Sequence, residues 1–470
     1  MAINVGRDVK AVTTGQQTIA HGLGAVPKAM IFVMSRGHSS LGTYEENAIL
    51  AIGFTDGTTH FSASMASAGN ESTSDSSSGR RADPLHAVLW GDTTPVIGEF
   101  VSWDATNITL DWTANNAEAW NIGFVAIGGD GIDATVLTWA TGIVTGNLSI
   151  TGAGFEPTSA FHLHDGVESV TVPNVTQDGH ISLGVVSGSD QWYVYGRNED
   201  DVGAALTWAE SGSDAFLWKC DHDGNEDGKV AHVSFDGDGQ TVNRIVETTS
   251  SMTVGALFLR GISVDVFSLT KSISLGVPVA QNETLSINPE AVFLMSDQKA
   301  SNDLRDDLRL AIGLADANTE IAFQVHDIDA EDPTVAVDYV STSKGLVLAN
   351  NDTPSTTSEA DISFNGANLV LTWTTNNIVA ALIRGAAFAS ITPATTYVQP
   401  DSRRRPRLTH RQRAALFSKV YSIPRDHAVA IDPIVIEFTV VDPVIRRAGG
   451  HVAGSDIVRP VGARTVRPVD

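Results

Sequence analysis

One phrase occurs three times in this chain. PKAMIFVMS starts at Pro27, PTSAFHLHD at Pro157 and PEAVFLMSD at Pro289. A second anchor follows each: LAIGFTDG from Leu50, ISLGVVSG from Ile181 and LAIGLADA from Leu310. Its glycines, Gly53, Gly184 and Gly313, lie 26, 27 and 24 residues after the three prolines. A third anchor is VSWDATN at Val101, VSFDGDG at Val233 and ISFNGAN at Ile362. A fourth is IGFVAIGG at Ile122, VGALFLRG at Val254 and VAALIRG at Val379. Four anchors in constant order exclude chance. The period, about 130 residues, exceeds the roughly 20–50 of solenoid repeats. A unit of that length can bury its own core. The expected organisation is three tandem domains, 1–130, 131–262 and 263–390, followed by a basic C-terminal segment, 391–470.

Within each unit the pattern is that of strands. AILAIGF, TDGT and THFSAS read as a hairpin whose Asp56-Gly57 supplies the positive φ of a tight turn. Short apolar runs with turn signals between them point to an all-β fold, three antiparallel β-sandwiches. No three-turn helix is expected before residue 400. A single cysteine, Cys220, excludes disulfides within the chain. Met1–Lys10 lacks the apolar core of a signal peptide, and no apolar run approaches the roughly 20 residues of a membrane helix. The expectation is a soluble chain made in a cytoplasm, with no membrane insertion.

Charge divides the chain unevenly. Residues 1–400 hold 17 Lys+Arg against 48 Asp+Glu, and residues 401–470 hold 13 against 7. An acidic body repels nucleic acid, which argues against a nucleic-acid partner, although a basic arm can escape that field through screening over about 8–10 Å. The tail opens on Arg403, Arg404 and Arg405. A short helix is expected through 409–422, with Leu416, Phe417 and Val420 on its apolar stripe, and strands over HAVAI and IVIEFTVV. These residues are the expected docking element, basic against acidic subunits.

HGLGAVPKAMIFVMS, AIGFTDGT and FVSWDATNITLDWTANNAEAWNIGFVAIGGD resemble the β-domains of virion structural proteins of tailed bacteriophages, especially tail and appendage proteins. ISFNGANLVLTWTTNN in the third unit is similar, and the second unit diverges most. The resemblance spans about residues 1–390. It implies an assembly component, with other virion proteins and copies of itself as partners, host-surface contact, and a place in the virion. It brings no catalytic residues and no cofactor.

Candidate sites have competing readings. Asp223, Asn225 and Asp227 fit the start of a calcium loop, but Ser234 stands where the bidentate carboxylate belongs, and the sibling stretches are plain turns. The competing reading is an acidic hairpin loop. His162 and His164 share a strand face suited to a metal, yet Phe32, Met34, Leu294 and Ser296 at matching positions make that face largely apolar in the siblings and favour partly buried packing histidines. Trp112 and Trp373 match one another and point to a shared core role. Trp192 and Trp208 lack counterparts and are freer for ligand contact, with packing as the competing role. Asp200-Asp201 and Asp306-Asp307 sit in loop-like stretches as solvated charges. The most variable stretches, from Ala66, Arg197 and Asp327, are expected to face a host or a neighbour, with simple tolerance of polar insertions as the competing reading. No nucleophile elbow or zinc-protease motif is present, so no enzyme is expected. The leading reading is a minor tail or tail-appendage protein. A carbohydrate- or receptor-binding adhesin, including a head fibre or decoration protein, is the alternative. A glycan-degrading enzyme is third, because paired carboxylates from distant strands leave no local motif.

Overall fold

The structure is a computed structural model that describes residues 2–37, 41–91, 93–302, 304–350 and 353–391. The expected docking residues Arg403, Arg404, Arg405, Leu416, Phe417 and Val420 lie outside the described residues. Among the described residues every regular element is a β-strand, in accord with the all-β expectation. The first hairpin forms where expected: Ala48–Thr55 pairs with His60–Ser67. Gly57 has φ 84°. The Asp56 carboxylate accepts the amides of Thr58 and Thr59, each at 2.7 Å.

The strands build three sheets of seven and three of four. In the first large sheet the order is Ala2–Val9, Asn121–Gly128, Pro27–Ser35, Ala48–Thr55, His60–Ser67, Ser76–Arg81 and Asn174–Gln177. Its four-stranded companion runs Gly15–Ala20, Asn107–Ala114, Thr93–Trp103, Leu85–Leu89. The other two pairs of sheets repeat these orders with strands drawn from 133–260 and 262–390, apart from the seventh strand of each large sheet. The fourth anchor needs a correction in the last segment. There Val379 precedes the strand, which is Leu382–Ser390. Val125, Leu257 and Ala386 pair with Ile31, Phe161 and Phe293, so Ile383 is the residue in register with Ile122 and Val254. The run of small apolar residues around Ala380-Ala381 matched the anchor by composition and hid a four-residue offset.

Large and small sheets differ in burial. Ala48–Thr55 and Asn121–Gly128 are buried at every position, whereas Asn107–Ala114 and Asn368–Thr375 alternate. Alternation marks a sheet with one face in water, and continuous burial one covered on both. Each large sheet packs one face on its own small sheet, giving three local cores, around Trp112, Phe216 and Trp373. The opposite faces of all three large sheets meet in one shared core that holds Phe54, Phe161, Phe293 and Phe388 together. Phe161 stacks on Phe388 with centroids 5.8 Å apart. Trp192 donates its indole N–H to the Gly385 carbonyl at 2.9 Å. Residues 1–394 accordingly form one compact unit.

The anchor glycines have a steric reason. A Cβ on Gly53 would stand 1.9 Å from the Pro84 carbonyl oxygen, on Gly184 1.6 Å from that of Phe216, and on Gly313 1.9 Å from that of Gly345. At each place the chain crosses the large sheet just before entering the small one, and only a residue without Cβ admits the crossing.

The seventh strand of each large sheet comes from another segment. Asn174–Gln177 completes the first sheet against Ser76–Arg81. Arg305–Asp306 completes the second against Thr207–Gly212, and Tyr44–Glu46 completes the third against Val335–Ser341. The exchange is cyclic: second to first, third to second, first to third. The variable stretches take part in this closure, while residues 71–73 and 331–333 at two of their tips are exposed. Ser74 and Val202, Asn70 and Thr334, and Ala205 and Glu331 are joined by backbone hydrogen bonds of 2.9, 2.6 and 3.2 Å. Beside them Asp327 accepts from Ser67 at 2.6 Å and Asn198 at 2.5 Å, one partner from each of the other segments.

Candidate functional site

The boundary between the first two segments holds a cleft. The loop after Ser159–His164 is drawn toward the first segment by Arg80, whose guanidinium is fully buried. It meets the Asp165 carboxylate at 2.6 Å and donates to the carbonyls of Ser169 at 2.6 Å and Thr171 at 3.1 Å. Burial pushes the Asp165 carboxyl upward, with Arg80 opposing. A buried pair of this kind positions more than it stabilises, because desolvation offsets much of the attraction. It holds Gly166, Val167 and Glu168 as one wall. The exchange strand Asn174–Gln177, leading to Asp178, gives a second wall, and the hairpin of Leu217–Cys220 with Glu226–Asp236 gives the third. The enclosed cleft is about 410 Å3. Gly166, at φ 65°, lies over the His180 ring, 2.7 Å from where a Cβ would stand.

Two cations stand in the cleft. Lys219 reaches Glu168 at 2.6 Å and Asp227 at 2.7 Å. Arg197 reaches Glu199 at 2.9 Å and Asp178 at 3.3 Å, and its guanidinium stacks 5.6 Å from the Trp208 ring. Burial raises the Glu168 carboxyl, but the bonds from Lys219 outweigh it and hold the group below its ordinary range. Behind them His180 shares a 2.8 Å hydrogen bond with the Tyr195 hydroxyl. Burial, then Arg197 and Lys219, push His180 well below its ordinary value, so it stays neutral. Burial pushes the Cys220 thiol up to about 11, which keeps it protonated and withholds the thiolate a nucleophile needs. The arrangement supplies fixed hydrogen-bond donors and acceptors to whatever enters.

The registers show what occupies the same corner elsewhere. His164, His180, Arg197, Lys219 and Cys220 correspond to Met34, Ile49, Ala66, Ala87 and Val88 in the first segment. All five of those are buried in one apolar cluster. In the third segment the positions hold Ser296, Arg309, His326, Leu348 and Ala349, of which Arg309, Leu348 and Ala349 line a space of about 50 Å3. A corner that is apolar core in one segment is thus an open polar cleft in another.

The residues singled out in the sequence fall as follows. Asp227 lies in the cleft on Lys219 and Thr249. Asn225 bonds to Asp221 and Asp223 to His222 at 3.3 Å, so the three calcium-loop candidates point to different partners in a hairpin loop. His162 and His164 are fully buried, not partly. His162 packs on Phe216 with ring centroids 4.2 Å apart and bonds to Gln240 at 2.9 Å. Burial pushes both histidines down to about 3. Trp112 and Trp373 are core residues with matched partners, donating to Gln17 at 2.8 Å and Gln281 at 3.0 Å. Trp192 and Trp208, the freer pair in sequence, are both buried. By register Trp192 matches Phe61 and Ile321, and all three fill the shared core, a match that the sequence anchors did not reveal. Asp200 and Asp307 are not solvated loop charges. They accept the amides of Ser76 at 2.8 Å and Asp329 at 3.0 Å, while Asp306 lies in an exchange strand. Arg197, Lys219 and Glu168 were missed. Their one visible signal was a Lys and an Arg in an acidic, Lys-poor chain, at strand positions where the first segment holds alanines, Ala87 and Ala66. Comparison with known proteins finds no match: no family profile, no curated protein and no solved structure.

Proposed function

We propose that residues 1–391 are three copies of one β-sandwich closed into a single-chain, pseudo-threefold body, and that the protein is a structural component of a tailed-phage virion, in its tail or tail appendage. The observation that carries this reading is the cyclic exchange of edge strands. No lobe can leave without breaking a sheet that another lobe completes. A particle part must persist outside the cell, and this chain has one cysteine and no disulfide to help it. Long-range strand pairing supplies slow unfolding instead. Pseudo-threefold symmetry suits a place in a symmetric assembly. The basic segment 391–470 serves as the docking element toward acidic subunits, other virion proteins or copies of this chain. The test is a chain truncated at Pro400. It should melt as the full chain does yet be missing from purified particles. Normal incorporation of the truncated chain removes the docking role, and absence of the full chain from particles removes the virion assignment.

The attachment reading, an adhesin for a host-surface glycan or receptor, is favoured by one observation, the polar cleft of the second segment. The two readings are compatible, since an appendage protein can carry both roles.

A further inference from the structure

We propose that the cleft around Lys219 and Arg197 is a binding site for a neutral saccharide, one or two sugar rings long. The inference rests on the attachment reading for its purpose and on the cleft alone for its chemistry. Its volume, about 410 Å3, lies in the usual range of small-molecule sites, roughly 300–1,000 Å3.

The first argument is that the fold does not require this chemistry. The first segment fills the same five positions with Met34, Ile49, Ala66, Ala87 and Val88, all buried. Burying a Lys and an Arg in their place brings a desolvation cost that ion pairing rarely exceeds. A scaffold that already has the cheaper solution gains nothing in stability from the polar one. The third segment also places polar groups here, Arg309 and His326, but a buried Lys with carboxylate partners at a cleft of about 410 Å3 is particular to the second segment.

The second argument concerns the class of ligand. Four carboxylates, Glu168, Asp178, Asp221 and Asp227, line the cleft with Arg197 and Lys219. An anion would meet a net negative wall whose two cations are already paired. A cation would meet Lys219 and Arg197, both nearly buried at 2% and 4% exposure and unable to swing away. A molecule whose hydroxyls each donate and accept satisfies both kinds of group at once. The carboxylates accept hydrogen bonds from its hydroxyls, and Lys219 has a third N–H to donate beside those it gives Glu168 and Asp227. The Thr249 hydroxyl oxygen, whose hydrogen goes to Glu168 and Asp227, can accept. Binding through hydrogen bonds exchanged with water is weak per contact, so millimolar to high-micromolar affinity is expected.

The experiment uses the full chain with methyl glucoside, methyl mannoside, methyl rhamnoside, N-acetylglucosamine and chitobiose as neutral probes. Sialyllactose and cadaverine are the anionic and cationic comparators, and saturation-transfer NMR and calorimetry are the readouts. At least one neutral sugar should bind, with both charged probes at least tenfold weaker. Asp178→Asn should weaken that sugar about tenfold. Gln177→Trp, which fills the mouth from an exposed strand position, should abolish binding while the melting temperature stays within a degree or two. The proposal is overturned if no neutral probe binds at 20 mM, if sialyllactose or cadaverine binds best, or if Gln177→Trp leaves the affinity unchanged. None of these outcomes depends on whether the chain is found in particles, so the two readings fail separately.

Discussion

The corner built from Met34, Ile49, Ala66, Ala87 and Val88 and the corner built from His164, His180, Arg197, Lys219 and Cys220 occupy the same positions of the same strand order. The first is closed and apolar. The second is an open cleft crossed by ion pairs. The difference teaches that the sandwich tolerates either solution at this corner, because neighbouring positions already supply enough buried apolar area. Glycines at Gly53, Gly184 and Gly313 are common to all three segments because a backbone crossing demands them. The corner is where the segments were free to part.

The comparison can be broken most forcefully by exchange. Ala87→Lys places an ammonium in the first corner with no built partner. An uncompensated buried charge costs about 3–5 kcal/mol, and urea denaturation should report a loss of that order. A loss under 1 kcal/mol would mean that the first corner is as open to water as the second.

The reverse exchange is expected to be milder and non-additive. Lys219→Leu installs the residue that the third segment uses, Leu348, but leaves Asp227 without its 2.7 Å partner. The expected loss is about 2–3 kcal/mol, nearer the lower end because Glu168 is part-exposed and can return to water. Adding Asp227→Asn should recover about half of it, since removing both members of a buried pair is far less costly than removing one. Additive losses in this double-mutant cycle would show that Lys219 acts without Asp227.

Over the window from pH 7 to pH 5 the smallest effect, about 2 kcal/mol, is the most specific in sign. His164 is held down to about 3 by burial, with Lys219 and Arg80 adding to it, against about 6.5 in an unfolded chain. Between those values the unfolded state binds the proton and the folded state does not. Stability is therefore fully present above about pH 6.5 and falls as pH drops toward 3, by about 1.4 kcal/mol per unit. His164→Met, the first segment's residue, removes that slope. Asp327 works in the opposite direction. Burial raises its carboxyl to about 7, so its contribution is present at low pH and is lost as pH rises from about 4 through 7. Measured as the difference between the native chain and His164→Met, the Asp327 contribution cancels. A difference that does not change between pH 7 and pH 5 would show His164 to be hydrated.

Local chemistry determined a good deal here. An apolar run and turn residues placed the first hairpin, because Asp56-Gly57 and its flanking strands pair within about twenty residues. The matched tryptophans, Trp112 and Trp373, were legible as core because aligned units repeat one environment. Tertiary structure alone decided the rest. Tyr44–Glu46, Asn174–Gln177 and Arg305–Asp306 are two to four residues long, too short for any periodicity. They become strands only because a neighbouring sheet offers an unpaired edge. Trp192 read as free in sequence because it packs in a core shared with strands far along the chain, and Trp208 because its cover of Tyr193, Tyr195, Trp218 and Arg197 comes together only through sheet pairing. The cleft draws Glu168, Asp178, Arg197, Lys219 and Asp227 from separate strands and loops, each an ordinary charge in its own context. Their meeting depends on sheet register and on the exchange strand, which are set by packing between distant parts of the chain and not by any residue's neighbours in sequence.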